Sequence, residues 1–167
     1  MLPSPGSRRA VGREVTLATS EDTRAFGTRL GRLLRAGDVV VLTGDLGAGK
    51  TTLTQGIAEG LGVRGPITSP TFVIARIHPS LVGGPALVHV DAYRLGSAME
   101  LDDLDLDADL DASVTVIEWG AGLSEQLSTE RLGITLTGEG ARTARLDPVG
   151  ERWERLVDTV LSAASEA

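Results

Sequence analysis

The stretch GDLGAGKTT places Gly44, Gly49, Lys50 and Thr51 at the spacing G-x-x-x-x-G-K-[ST]. That pattern makes a phosphate loop when a strand precedes it and a helix follows it. The loop runs through Gly44, Asp45, Leu46, Gly47, Ala48, Gly49, Lys50, Thr51 and Thr52. Its glycines let successive backbone N–H groups converge on an anion, and the following helix adds the positive end of its dipole. Lys50 is the only lysine in the chain, the other fifteen Lys or Arg residues being arginines. A phosphate loop needs a compact ammonium on a flexible stem, which a planar guanidinium does not replace. Thr51 supplies a hydroxyl suited to Mg²⁺.

Two carboxylates stand where such a loop would use them. Asp91 closes the apolar run ALVHVD and Glu118 closes SVTVIE. Ligands of open α/β sheets sit at the carboxyl ends of the strands, so both acids are candidates to face the loop. One would hold Mg²⁺, directly or through water, and one would orient an attacking water. The bland alternative for either is a helix cap or a solvated acid. The segment TSPTF, with Ser69, Pro70 and Thr71, is either a loop sensing the γ-phosphate or a proline-broken entry to a strand. A Ras-like GTPase reads guanine with [N/T]-K-x-D. That motif requires a second lysine, so ATP is the expected nucleotide.

Composition narrows the possibilities. The chain has 167 residues, 41% hydrophobic and 23% charged, which suits one globular domain. Residues 1–12 read as a flexible tail and 13–163 as a single domain. With no cysteine, thiolate metal sites and Cys nucleophiles are excluded. His78 and His89 are the only histidines, which makes a structural zinc site improbable. The formal charge of −7 opposes direct binding of nucleic acid, which needs a basic patch. The absence of an apolar h-region or spanning stretch points to a cytoplasmic protein with no membrane partner. Asp105, Asp107 and Asp109 imitate the start of a calcium loop, but Leu110 and Val116 stand where its Gly and Glu belong.

The elements that must position these residues follow from periodicity. EVTLAT alternates as a half-buried strand. Ser20 is the expected N-cap of a helix carrying Phe26, Leu30, Leu33 and Leu34 on one face and ending near Gly37. DVVVLT is a continuous β-branched run, as in a strand covered on both sides. Leu53, Ile57 and Leu61 form the next helical stripe, closed by Gly60 and Gly62. Residues 97–111 look helical and very acidic. RLGITLT and TARLDPV read as an edge hairpin around Gly138 and Gly140, and Trp153 to Leu161 as a last amphipathic helix. The sum is an α/β fold of the P-loop NTPase type: a mostly parallel central sheet, helices on both faces and an antiparallel edge hairpin.

GDLGAGKTT, TSPTF, HVDAYRL, an EL before the acidic stretch, and VIEW occur in the order found in TsaE (YjeE-type) proteins, and the chain resembles that family over about residues 14–160. These are P-loop ATPases of bacterial tRNA threonylcarbamoyladenosine (t6A) synthesis. The resemblance implies an ATPase, with ATP and Mg²⁺ as cofactors, acting with TsaD and TsaB. Those partners modify adenosine 37 of tRNA, so tRNA is met only through the complex, which ATP would reset between turnovers. It further implies that Lys50 and Thr51 bind phosphate and Mg²⁺, that Glu118 is the acidic Mg²⁺ and hydrolysis residue, and that Asp91 and Tyr93 belong to the site. Trp119 would pack or sense beside it, Ser69, Pro70 and Thr71 would form a switch-like loop, and Thr23 would lie near the nucleotide. Asp105 and Gly120 depart from the family's usual residues, and PSLVGGP and the first dozen residues look added.

Two rivals share the loop. A small-molecule kinase would need an acceptor pocket and an Arg-rich lid, for which Arg76 and Arg94 are too few and too scattered. A nucleotide-dependent interaction module with negligible turnover would have no need of Glu118.

Overall fold

The computed structural model describes residues 13–44, 49–65, 75–91, 112–118, 130–138 and 141–166; of Ala75, Asp91 and 163–166 it describes the backbone alone. The elements are β1 (Glu14–Leu17), α1 (Ser20–Leu33), β2 (Val39–Gly44), α2 (Lys50–Leu61), β3 (Ala75–His78), β4 (Ala86–Asp91), β5 (Ser113–Glu118), β6 (Arg131–Thr137), β7 (Arg142–Val149) and α3 (Glu151–Glu166). The helix predicted over 97–111 and the tail lie outside the described residues.

β5 is buried along its whole length and β2 from Val39 to Leu42, because neighbours flank them on both sides and both their faces are covered there. The sheet runs β1-β7-β6-β2-β5-β4-β3. Its four middle strands, β6, β2, β5 and β4, are parallel, while antiparallel pairs flank them on each side. The hairpin of β6 and β7 is present, with β1 added outside it. The outermost position therefore belongs to β1, and both hairpin strands are paired on each side. Local alternation reports a strand's faces but not its neighbours, which is why the sequence placed the hairpin at the edge.

One face of the sheet, with Val40, Leu42, Leu87, Val114, Val116 and Ile134, forms a single core with Phe26, Leu30, Leu53, Ile57, Trp153 and Val157 of the three helices. The described helices all pack there. Val39, Val41, Val88, Val90 and Ile117, on the opposite face, are equally buried.

Helix α1 starts one residue earlier than expected. Thr19 is its N-cap: Asp22 N donates to Thr19 Oγ1, and Thr19 N donates to Asp22 Oδ2. That reciprocal box requires an acid three residues beyond the cap, which Thr19 has and Ser20 lacks. The helix ends at Leu33, and Gly37, at φ 94°, makes the turn into β2. Helix α2 ends on Gly62, at φ 76°, as an αL cap. Gly60 does not close it. A Cβ there would stand 2.3 Å from the Thr28 carbonyl oxygen, and one on Gly56 would stand 2.1 Å from that of Arg24. The reverse holds for Gly27 and Gly31 of α1 against Leu53 and Ile57. The two helices thus touch backbone to backbone, which only glycine at these positions permits.

Candidate functional site

β2 delivers the chain to Gly44, and α2 begins at Lys50. Gly49 is the helix N-cap in the left-handed conformation, φ 96°, and no side chain caps it. The first amides of α2 therefore face the loop without a side-chain acceptor of their own cap. Lys50 is buried, 6% exposed. Its Nζ donates to the Gly44 carbonyl at 2.8 Å, so the ammonium reaches back over the start of the loop. Thr54 Oγ1 donates to the Lys50 carbonyl and keeps the first turn closed. Thr51 and Thr52 are half-buried on the same turn.

Parallel pairing places the acids beside this loop. Glu118 is the Cα partner of Leu42 on one side and of Asp91 on the other. It lies one strand spacing across (~4.8 Å) and two residues back (~6.6 Å) from Gly44. Glu118 is 4% exposed. Its Oε2 lies 2.5 Å from His89 Nε2, and among the described residues it makes no ion pair with Lys or Arg.

Thr23 lies on the first turn of α1, buried to 1% exposure, with Oγ1 donating to the Thr19 carbonyl. Its methyl carbon is 4.0 Å from the point where a Cβ on Gly49 would stand. The glycine contacts between α1 and α2 bring it there. The structure thus gathers Gly44, Gly49, Lys50, Thr23 and Glu118 at one end of the sheet, with Asp91 in register beside them. Asp45, Leu46, Gly47, Ala48, Ser69, Pro70, Thr71, Tyr93 and Trp119 lie outside the described residues.

Sequence reasoning missed Arg142. Its Nε lies 3.6 Å from that same Cβ point on Gly49, and its Nη1 donates to the Gly138 carbonyl. An arginine therefore borders the loop, although none was expected near it. The only signal was an Arg directly after the glycine-rich hairpin turn, one among fifteen arginines. For His89 the sequence carries no signal of a role at the site.

The donor set is an ammonium, a guanidinium, helix N-terminal amides without a side-chain cap, one hydroxyl and one carboxylate. It suits a polyphosphate carrying Mg²⁺, because Mg²⁺ in such sites takes one or two protein oxygens and completes its shell with phosphate and water. Lys50 and the amides would hold phosphate, and Thr51 and Glu118 would hold the ion.

A strand–phosphate loop–helix unit on a parallel sheet, with an acid at the end of the adjacent strand, defines a P-loop NTPase-like domain. The family model described as "Threonylcarbamoyl adenosine biosynthesis protein TsaE" matches residues 17–146, and the chain belongs to that family. It is 55% identical over 146 residues to the "tRNA threonylcarbamoyladenosine biosynthesis protein TsaE" of Streptomyces coelicolor, covering 83% of this chain and 99% of that one. Identity to the Bacillus subtilis protein of the same description is 40%, over 83% and 87% of the two chains. The fold matches the crystal structure of Bacillus subtilis YdiB with a TM-score of 0.70 at 35% identity, covering 90% of this chain and 95% of that one. Its role is therefore in t6A biosynthesis. Among the described residues no helix is long and apolar enough to cross a membrane.

Proposed function

We propose that this chain binds and slowly hydrolyses ATP with Mg²⁺ as the cytoplasmic energy-coupling component of t6A37 synthesis, acting on a TsaD–TsaB complex and resetting it between turnovers. The observation that carries this is Lys50 Nζ folded over Gly44, with Glu118 in register on the neighbouring strand and paired with no described Lys or Arg. Mg²⁺ would supply charge neutralisation on the β- and γ-phosphates. Lys50 and the α2 amides bind and orient the phosphates, with Arg142 adding positive charge beside Gly49. Glu118 accepts a proton from, or orients, the attacking water, and Asp91 is the second candidate for that task. The loop at Ser69–Thr71 would order around the γ-phosphate and dock on the partners, with Tyr93 and Trp119 beside it. The catalytic domain is taken as 13–163. tRNA is met only through the complex, since the net charge of −7 repels phosphates.

Phosphate release measured with and without the TsaD–TsaB pair tests the reading. Slow release alone and faster release with the pair is expected. Rapid release indifferent to the pair rejects the coupling, and transfer of phosphate to a small acceptor assigns a kinase instead. Lys50→Ala should abolish tight ATP binding in calorimetry while the fold persists, because the ammonium on the phosphates is lost. Unchanged affinity would remove the loop from the site.

A further inference from the structure

His89 sits in the middle of β4 and is fully buried. It is the Cα partner of Val116, and Leu87 and Val116 beside it belong to the apolar core. An imidazole placed there loses its water and must recover a hydrogen bond from the protein. It recovers one, to Glu118 Oε2 at 2.5 Å. Nothing among the described residues meets its other nitrogen, Nδ1. An ionised carboxylate can only accept, so Nε2 carries the proton and Nδ1 keeps its lone pair. The reverse tautomer would bury an N–H with no acceptor and set two acceptors against each other.

A glutamate at a strand end has three side-chain torsions, and ordering them costs entropy when chemistry requires one geometry. The contact with His89 fixes Glu118 through one oxygen only. Oε2 is occupied, and Oε1 remains to act toward the loop. We propose that His89 is a positioning residue: its Nε2–H holds Glu118 in the rotamer that presents Oε1 to Mg²⁺ or to the attacking water. This deepens the ATPase reading and rests on it. Partners of this kind, one shell outside a metal-binding carboxylate, fix its orientation and basicity. His89 makes the contact from the strand that ends in Asp91, so β4 supports both acids of the site.

Three substitutions and one spectrum test the proposal. His89→Leu should lower kcat for ATP hydrolysis by about 10- to 100-fold, while the Kd for ATP stays within about threefold. His89→Gln, whose amide can donate from nearly the same place, should recover most of the loss. In a Glu118→Gln background, His89→Leu should cost less than about twofold more, because the two act as one unit. In the unmodified protein, ¹⁵N spectra of the imidazole should show Nε2 protonated and Nδ1 bare. That measurement decides the contact even if His89→Leu fails to fold, and a ring protonated at Nδ1 alone overturns the proposal. So does wild-type kcat in folded His89→Leu when Glu118→Gln is impaired, or a Gln variant no better than Leu. Failure of the ATPase reading looks different: the wild-type protein releases no phosphate with its partners, whatever the tautomer.

Discussion

Two carboxylates are buried at opposite ends of the sheet centre, and they are satisfied in opposite ways. Asp38 directly precedes β2, at its amino end. Arg152 of α3 grips it with both terminal nitrogens, at 2.6 and 2.9 Å, and the Arg35 N–H donates to it at 2.7 Å. The guanidinium itself lies over the ring of Trp153. Both carboxylate oxygens accept hydrogen bonds, and a guanidinium offsets the charge. Glu118, at the carboxyl end of β5, is as deeply buried but among the described residues meets only the His89 imidazole. A buried anion left without a cation is costly. The fold keeps one at the phosphate-loop end and removes the other at the far end. That contrast separates an acid that ties helix to sheet from an acid whose one contact among the described residues is a histidine.

The comparison breaks most visibly at Glu118. Glu118→Gln retains shape and can still accept from His89, but it loses the charge. ATP should still bind, and hydrolysis should fall about 100-fold, equivalent to about 2.7 kcal/mol of barrier. Stability should rise, because an uncompensated buried charge is removed. Single-turnover phosphate release and a urea melt read the two quantities. Hydrolysis at the wild-type rate would move the role to Asp91.

Asp38→Ala should do the opposite. Removing one partner of a buried pair costs about 3–5 kcal/mol when both are fully buried. Arg152 keeps about a quarter of its side-chain surface in water, 24%, so about 2 kcal/mol is expected, the remainder being screened. ATP affinity should not move. A variant of normal stability with impaired turnover would dissolve the distinction between the two acids.

Much of this arrangement was legible in the chain. The apolar runs ending in Gly44, Asp91 and Glu118 announce parallel strands whose carboxyl ends meet, and the phosphate loop between β2 and α2 follows from spacing alone. What escaped depends on pairing between elements. His89 and Glu118 are 29 residues apart and become neighbours only through the register of β4 with β5. Gly60 reads locally as a helix stop, yet its purpose is the approach of α1, visible only once Gly27 and Gly31 are seen opposite Gly56 and Gly60. Arg142 reaches the loop because β7 lies beside β6 and β6 beside β2, an order that no local pattern encodes. Thr19 displaced Ser20 as the cap because the side chain at 22 is an acid and the one at 23 is not.

The smallest expected effect extends the contrast to the histidines. His89 spends its N–H on the Glu118 carboxylate, whereas His78 spends its own on the backbone. His78 Nδ1 lies 3.1 Å from the Arg64 carbonyl, which can only accept, so Nδ1–H donates and anchors the segment after α2. Among the described residues its buried Nε2 has no partner, and burial lowers its pKa below the ordinary imidazole value. The folded protein therefore keeps His78 neutral at a pH where the unfolded chain takes up a proton. Below about pH 6.5 the unfolded state binds more protons, so the stability from this group is complete above that pH. It is lost progressively as the pH falls toward the folded value. Between pH 7.5 and 5.5 the loss cannot exceed about 1.4 kcal/mol, one proton's worth over the decade below the unfolded value. His78→Asn keeps a donor for the Arg64 carbonyl and cannot titrate, so urea melts of the variant should show a flatter dependence on pH by that amount. An equal slope in both proteins would mean that burial of His78 sets no part of the acid sensitivity.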